Sequence, residues 1–170
     1  MRIKTIKLIS LFGTLLLALS AVSVQAETPK RGGTLVWSIG TTPRHLNPAV
    51  QSGIATGAPG AQLFATLVRF DDKWNAHPYL AKSWQTSADG LAVTFNLVMG
   101  ATFHDGTPIT SKDVAFSIKT IKANHPFKTM FRAVSRVETP NANTVVFKLS
   151  QPHPALMLAL SSQLGSIIPE

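Results

Sequence analysis

No cysteine occurs in the 170 residues, so disulfides and thiolate chemistry are excluded and stability must come from packing. Acidic residues number 8 against 16 Lys and Arg, and they include no convincing carboxylate pair of the kind glycoside hydrolysis needs. A Gly-x-Ser-x-Gly elbow, a phosphate-binding loop and a dinucleotide fingerprint are all missing. The five histidines (His45, His77, His104, His125, His153) are scattered, and no two have the spacing of a helical metal site. No catalytic residue, metal ligand or cofactor site is therefore assigned. The one adjacent His/acid pair, His104-Asp105, reads as a polar turn rather than a dyad. Low-complexity tracts and internal repeats are absent too.

What the chain does have begins with its apolar residues, which concentrate at the start. Arg2, Lys4 and Lys7 precede an apolar run from Leu8, and Val24 and Ala26 stand at the −3 and −1 positions of a cleavage site. That order of charge, apolar core and small residues makes residues 1–26 a secretory signal peptide. The stretch from Leu8 to Val24 could also just span a bilayer as an uncleaved anchor. The polar Glu27 to Arg31 that follows favours removal, and no cysteine is present at the junction to carry a lipid anchor. Loss of the three basic residues lowers the net charge from +8 to +5, with 13 basic and 8 acidic residues remaining. The densest basic set (Lys119, Lys122, Lys128, Arg132, Arg136) is dispersed and not interleaved with aromatic platforms, so no nucleic-acid partner is expected.

Along the mature chain, Thr34 to Ile39 is rich in β-branched and aromatic residues and predicts a strand. Pro43 and Pro48 mark a loop. Ala61, Leu63, Phe64, Leu67 and Val68 suggest a helix over Pro59 to Leu67, with Gly57, Pro59 and Gly60 weakening its start. Val68 to Phe70 predicts a short strand entering the Asp71-Asp72-Lys73 turn. A hairpin turning at Ser87 to Gly90 leads into Ala92 to Leu97, where Val93, Phe95 and Leu97 alternate onto one face. Thr110 and Asp113 form a short-armed capping box for a helix in which Val114, Ala115, Ile118 and Ile121 share a side. Val134 to Glu138 then turns through Pro140 to Asn143 into Thr144 to Leu149, with Val145, Phe147 and Leu149 inward. Pro154 opens a last helix to Leu160. Hairpins and helices without a βαβ rhythm indicate an exported, non-catalytic α+β unit.

A series of ordered segments goes further. Gly32-Gly33-Thr34-Leu35-Val36 with Leu46-Asn47-Pro48, Leu67-Val68 with Phe70-Asp71, Pro78 to Trp84 with Asp89-Gly90-Leu91 and Thr94 to Leu97, and Phe103 to Pro108 with Asp113 to Ser117 together resemble the peptide/nickel-type solute-binding proteins of ABC importers, solute-binding protein family 5. Val98-Met99 stands where the family often has Arg, and the Gly57/Pro59/Gly60 cluster departs from its first long helix.

The resemblance implies an α/β two-lobe periplasmic-binding-protein fold of type II when complete. Of this the chain is expected to be a fragment: residues 27–53 a leader, the first strand of lobe one and its exit loop, and residues 54–170 most of an α+β accessory domain. The implied function is capture of di- or oligopeptides in the periplasm by a monomer, without chemistry, and delivery to membrane permease subunits. A nickel complex, sugar or opine is the alternative ligand. An exported hydrolase and a surface-interaction module are the rivals from other classes. By the same resemblance, Ser52, Gly53 and Ile54 reach the cleft between the lobes, where a glycine lets backbone groups approach a ligand closely.

N-terminal sequencing of exported protein should begin at Glu27. Material retained in the inner membrane with Met1 intact would contradict the signal-peptide reading.

Overall fold

The computed structural model describes residues 31–170; residues 1–26, expected to be a signal peptide, lie outside them. The chain divides into two compact units, 1–37 and 38–170. In the first, residues 31–37 form no strand, contrary to the strand expected over Thr34 to Ile39. A ladder needs a partner for its N–H and C=O groups, and no described strand pairs with this stretch. Its apolar side chains stand in solvent, Leu35 and Val36 at 85% and 88% exposure.

The second unit carries, in chain order, α1 (Ile54–Leu63), β1 (Val68–Phe70), β2 (Ala76–Pro78), β3 (Ala81–Thr86), β4 (Ala92–Leu97), α2 (Ser111–Asn124), β5 (Val134–Asn141), β6 (Thr144–Leu149) and α3 (Leu156–Ser161). β1 and β2 make an antiparallel pair, and β3-β4-β6-β5 an antiparallel sheet of four. Both expected hairpins form. In the first, the Ser87 hydroxyl and the Asp89 carboxylate brace the turn that Gly90 closes at φ 69°. The second turns more tightly than Pro140 to Asn143, because β5 runs on to Asn141, whose side chain accepts the Asn143 N–H at 2.9 Å.

The core lies where alternation placed it. Val93, Phe95 and Leu97 of β4 and Val145, Phe147 and Leu149 of β6 are buried, and the α2 side chains Val114, Ile118 and Ile121 are buried in the same cluster. Phe95 and Phe147 meet edge to face at 5.4 Å and 71°, an arrangement worth about 0.5–1.5 kcal/mol beyond area burial. At the head of α2 the capping box is complete. The Asp113 carboxylate accepts from the Thr110 N–H (2.7 Å) and hydroxyl (2.8 Å), and the Thr110 oxygen accepts the Lys112 N–H at 3.2 Å.

Two helices depart from expectation. α1 runs from Ile54 to Leu63, not from Pro59 to Leu67. Its packing side consists of small residues (Thr56, Gly57 and Gly60 are buried), which apolar periodicity does not detect. Leu67 and Val68 are buried after the helix has ended. Pro59 sits inside it and forgoes one helical hydrogen bond. α3 begins at Leu156 rather than Pro154, because the Leu156 N–H closes a turn onto the His153 carbonyl at 3.0 Å first.

The end of the chain returns across the body. The Ile167 N–H donates to Ala65 O at 2.8 Å, the Ile168 N–H to Ser117 Oγ at 2.9 Å, and the Glu170 N–H to Asp113 Oδ1 at 3.1 Å. Gly165 lets this crossing approach: a Cβ there would lie 2.7 Å from Ala159 O and Leu160 Cα. At Gly57 the three atoms nearest an added Cβ, at 1.7–2.6 Å, all belong to the end of the exposed Gln163 side chain, which can swing away. Gly165→Ala should therefore cost about 1–3 kcal/mol through overpacking. Gly57→Ala should be near neutral, because helix propensity favours Ala by about 1 kcal/mol. Paired thermal melts test this; equal losses in both would contradict the packing described.

Candidate functional site

Ser52, Gly53 and Ile54 form the entry to α1. Gly53 is the N-cap residue, with φ 101° and ψ 158°, a conformation that a residue with a Cβ rarely adopts. Its carbonyl accepts the Gly57 N–H at 2.8 Å, while a Cβ added at Gly53 would meet nothing within 4 Å. Ser52 is half-buried and Ile54 is 65% exposed. No side chain caps the helix, so the first-turn N–H groups have no helical acceptor and stay available to an acceptor from outside. In the same turn the Thr56 hydroxyl is buried without a hydrogen-bond partner. Backbone donors beside an exposed apolar side chain and open space can receive an anionic or carbonyl-bearing group.

Outside this segment, the His125 ring is 2% exposed at the end of α2, and its Nδ1 accepts the Phe127 N–H at 3.0 Å. Burial holds the imidazole below its ordinary pKa.

A cleft of about 780 Å³ lies between α2 and β5 and does not include Ser52 to Ile54. Phe116, Ile118 and Val137 are among its apolar lining, and Lys112, Lys119, Lys122 and Arg136 supply its basic groups. Several cations of the basic set are already engaged: Lys122 Nζ donates to Val134 O, Lys128 Nζ to Ala123 O at 3.4 Å, and Arg136 Nε to Glu138 at 2.6 Å.

The remaining polar candidates are structural. The Asp105 carboxylate is occupied by the Thr107 N–H (3.0 Å) and hydroxyl (2.7 Å), which hold its pKa below the ordinary carboxylate value. The pair His104-Asp105 thus closes a turn, as expected. Asp71 gathers the loop between β1 and β2 through the side chains of His77 (2.9 Å) and Asn75 (3.0 Å) and the Asn75 N–H (2.8 Å), and these bonds push its pKa well below the usual range. That loop carries Trp74 at φ 63° and 72% exposure. Trp84 instead packs on the core, with its ring centroid 6.5 Å from that of Phe95.

Comparison with known proteins agrees with the resemblance. The profile of the bacterial extracellular solute-binding proteins, family 5 (middle region), matches residues 75–170. A Brucella ovis protein described as a putative ABC transporter peptide-binding protein is 39% identical over 137 residues, which cover 74% of this chain and 25% of the relative. Two solved structures are each 32% identical. The Agrobacterium tumefaciens R10 periplasmic binding protein AgaA, in complex with agropinic acid, superposes with a TM-score of 0.69 over 75% of this chain and 26% of its own. NikZ from Campylobacter jejuni, in complex with Ni(L-His), gives 0.67 over 76% and 26%. The chain spans about a quarter of the length of the relatives it matches. Its fold is that of the corresponding part of a type II periplasmic binding protein. With more than half its residues inside the family profile, the chain belongs to the bacterial extracellular solute-binding proteins of family 5.

Proposed function

We propose that this chain is part of the substrate-binding component of an ABC importer, exported to the periplasm, which captures peptides as a monomer and hands them to a membrane permease. The observation that carries the reading is the 39% identity, over three-quarters of this chain, to a protein described as an ABC transporter peptide-binding protein. Residues 27–53 supply a leader, the segment that would become the first strand of lobe one once its pairing neighbours are present, and the exit loop, and residues 54–170 the accessory domain. Closure of two lobes on a ligand is a hinge motion driven by contacts to both, and it calls for no catalytic group.

Within this chain the ligand meets Ser52, Gly53 and Ile54. The open space at Gly53 and the uncapped first turn of α1 suit a peptide carbonyl or carboxylate, a group that backbone donors recognise without regard to side chain. A second reading, an opine or a metal–amino acid complex, is favoured by the two structural neighbours at 32% identity, whose ligands are agropinic acid and Ni(L-His).

Calorimetric titration of the full-length protein with a dipeptide library, agropinic acid and Ni(L-His) separates these readings. We expect dipeptide binding, and none of useful affinity by the 170-residue chain alone, because a closed site buries most of its ligand's surface. Binding of only agropinic acid or Ni(L-His) would transfer the assignment to the second reading; heat from none of the three would overturn both. Ile54→Asp provides the site test. An acid in the first turn of a helix favours the fold by about 0.3–1 kcal/mol, so the melting temperature should hold while affinity falls about tenfold or more through repulsion of a carboxylate. Unchanged affinity would remove Ser52 to Ile54 from the site.

A further inference from the structure

The cleft between α2 and β5 has no part in the solute reading, yet its surface is not that of a finished solvent face. Along α2 it is lined by Lys112, Ala115, Phe116, Lys119 and Ala123, a spacing that puts all five on one side of a helix. The side that carries Val114 and Ile121 is buried in the core. Phe116, in the middle of the outer stripe, packs against the core and is only half-buried. It belongs to the block Asp113 to Ser117 that carries the family resemblance. Asp113 and Ser117 use their polar groups inside the body, whereas part of the Phe116 side chain stays uncovered.

The charges and the sheet edge are unfinished in the same place. Lys112 and Lys119 have no hydrogen-bond or ion-pair partner for their ammonium groups among the described residues. Lys122 and Arg136, on the same lining, are engaged by Val134 O and Glu138. Glu170 is the one acid of the lining. β5 is the outermost strand in the order β3-β4-β6-β5, so no described strand pairs with its other side. An open sheet edge beside apolar surface invites association unless something covers it.

We propose that this cleft is an internal docking surface, filled in the full-length protein by polypeptide that follows Glu170. The occupant has an apolar face for Phe116 and Val137 and carboxylates for Lys112 and Lys119. Three observations select it over another molecule. The Glu170 N–H is held on Asp113 Oδ1 at 3.1 Å and Glu170 itself lines the cleft, so a residue that follows starts beside α2. The match to the Brucella ovis relative takes up only 25% of that protein, which leaves ample polypeptide to fill about 780 Å³. The two unpaired lysines stand seven residues apart, about 10 Å along the helix at 1.5 Å per residue. A helical occupant meets both with acids at the same interval. Which solute is captured has no bearing on this packing, so failure of the titrations above leaves it standing.

Amine acetylation read by mass spectrometry tests the cover directly. Lys112 and Lys119 are exposed here, as are Lys73 and Lys82 elsewhere on the body. Relative to Lys73 and Lys82, the two cleft lysines should react about fivefold more slowly in the full-length protein than in the 170-residue chain, the factor that a surface ion pair reaches. Equal relative rates in the two chains would overturn the proposal. Protection that rises with protein concentration would overturn it too, because a second copy would then be the occupant. Carbodiimide coupling of the full-length protein identifies what lies there. An amide joining Lys112 or Lys119 to an Asp or Glu beyond Glu170 in the same molecule supports the proposal; coupling only between molecules, or none at these lysines, overturns it. Should the 170-residue chain fail to fold, the coupling product decides by itself.

Discussion

The body is organised by the return of the chain across α2. Ser117 is the pivot of that crossing: its hydroxyl donates to the Asp113 carbonyl at 2.7 Å and accepts the N–H of Ile168, 51 residues away in sequence, at 2.9 Å. One turn earlier, Asp113 shares its carboxylate between the helix cap at Thr110 and the Glu170 N–H. Both groups are buried, where an unmatched hydrogen-bonding group costs about 1–3 kcal/mol. The cap, the helix register and the path of the last residues therefore stand or fall together. With the crossing in place, Ile167 and Ile168 are buried and close the core formed by β4, β6 and α2.

The residues that reveal the family are for the most part the ones that hold this framework. Asp113 and Ser117 receive the returning end of the chain. In Phe103 to Pro108, Gly106 at φ 86° and Asp105 fold a loop whose ends pair through Thr102 and Pro108. Asp89 and Gly90 turn the first hairpin, and Asn47 locks the bend into the buried Ala49. These are demands of backbone geometry, and they are met by the same few residue types whatever a relative binds. Family membership is consequently easy to read from such a chain and ligand identity is not: the 32%-identical neighbours hold agropinic acid in one case and a nickel–histidine complex in the other.

The same division explains what was legible in the fold. Strand alternation in β4 and β6, the capping box at Thr110 and the turn at Gly90 are local patterns, and each stands where its pattern put it. The failures are non-local. Thr34 to Ile39 has strand-forming side chains without a described partner to pair with. α1 packs on Thr56, Gly57 and Gly60 because Pro48 and Gln163 come against it from elsewhere in the chain, and no periodicity of large apolar residues announces such a face. The candidate site was reached only through likeness to a family. Its distinguishing features, a left-handed Gly53 and a helix without a side-chain cap, come from backbone geometry that sequence order does not display.

A crystal structure of the full-length protein with a bound dipeptide tests the central claim, that this chain meets the solute at the start of α1 while its family motifs serve the framework. The account predicts ligand atoms in contact with Ser52, Gly53 or Ile54, and Asp105, Asp113 and Ser117 holding the partners described here. A ligand held by the motif carboxylates, or seated in the cleft between α2 and β5 with the entry to α1 left bare, would contradict it.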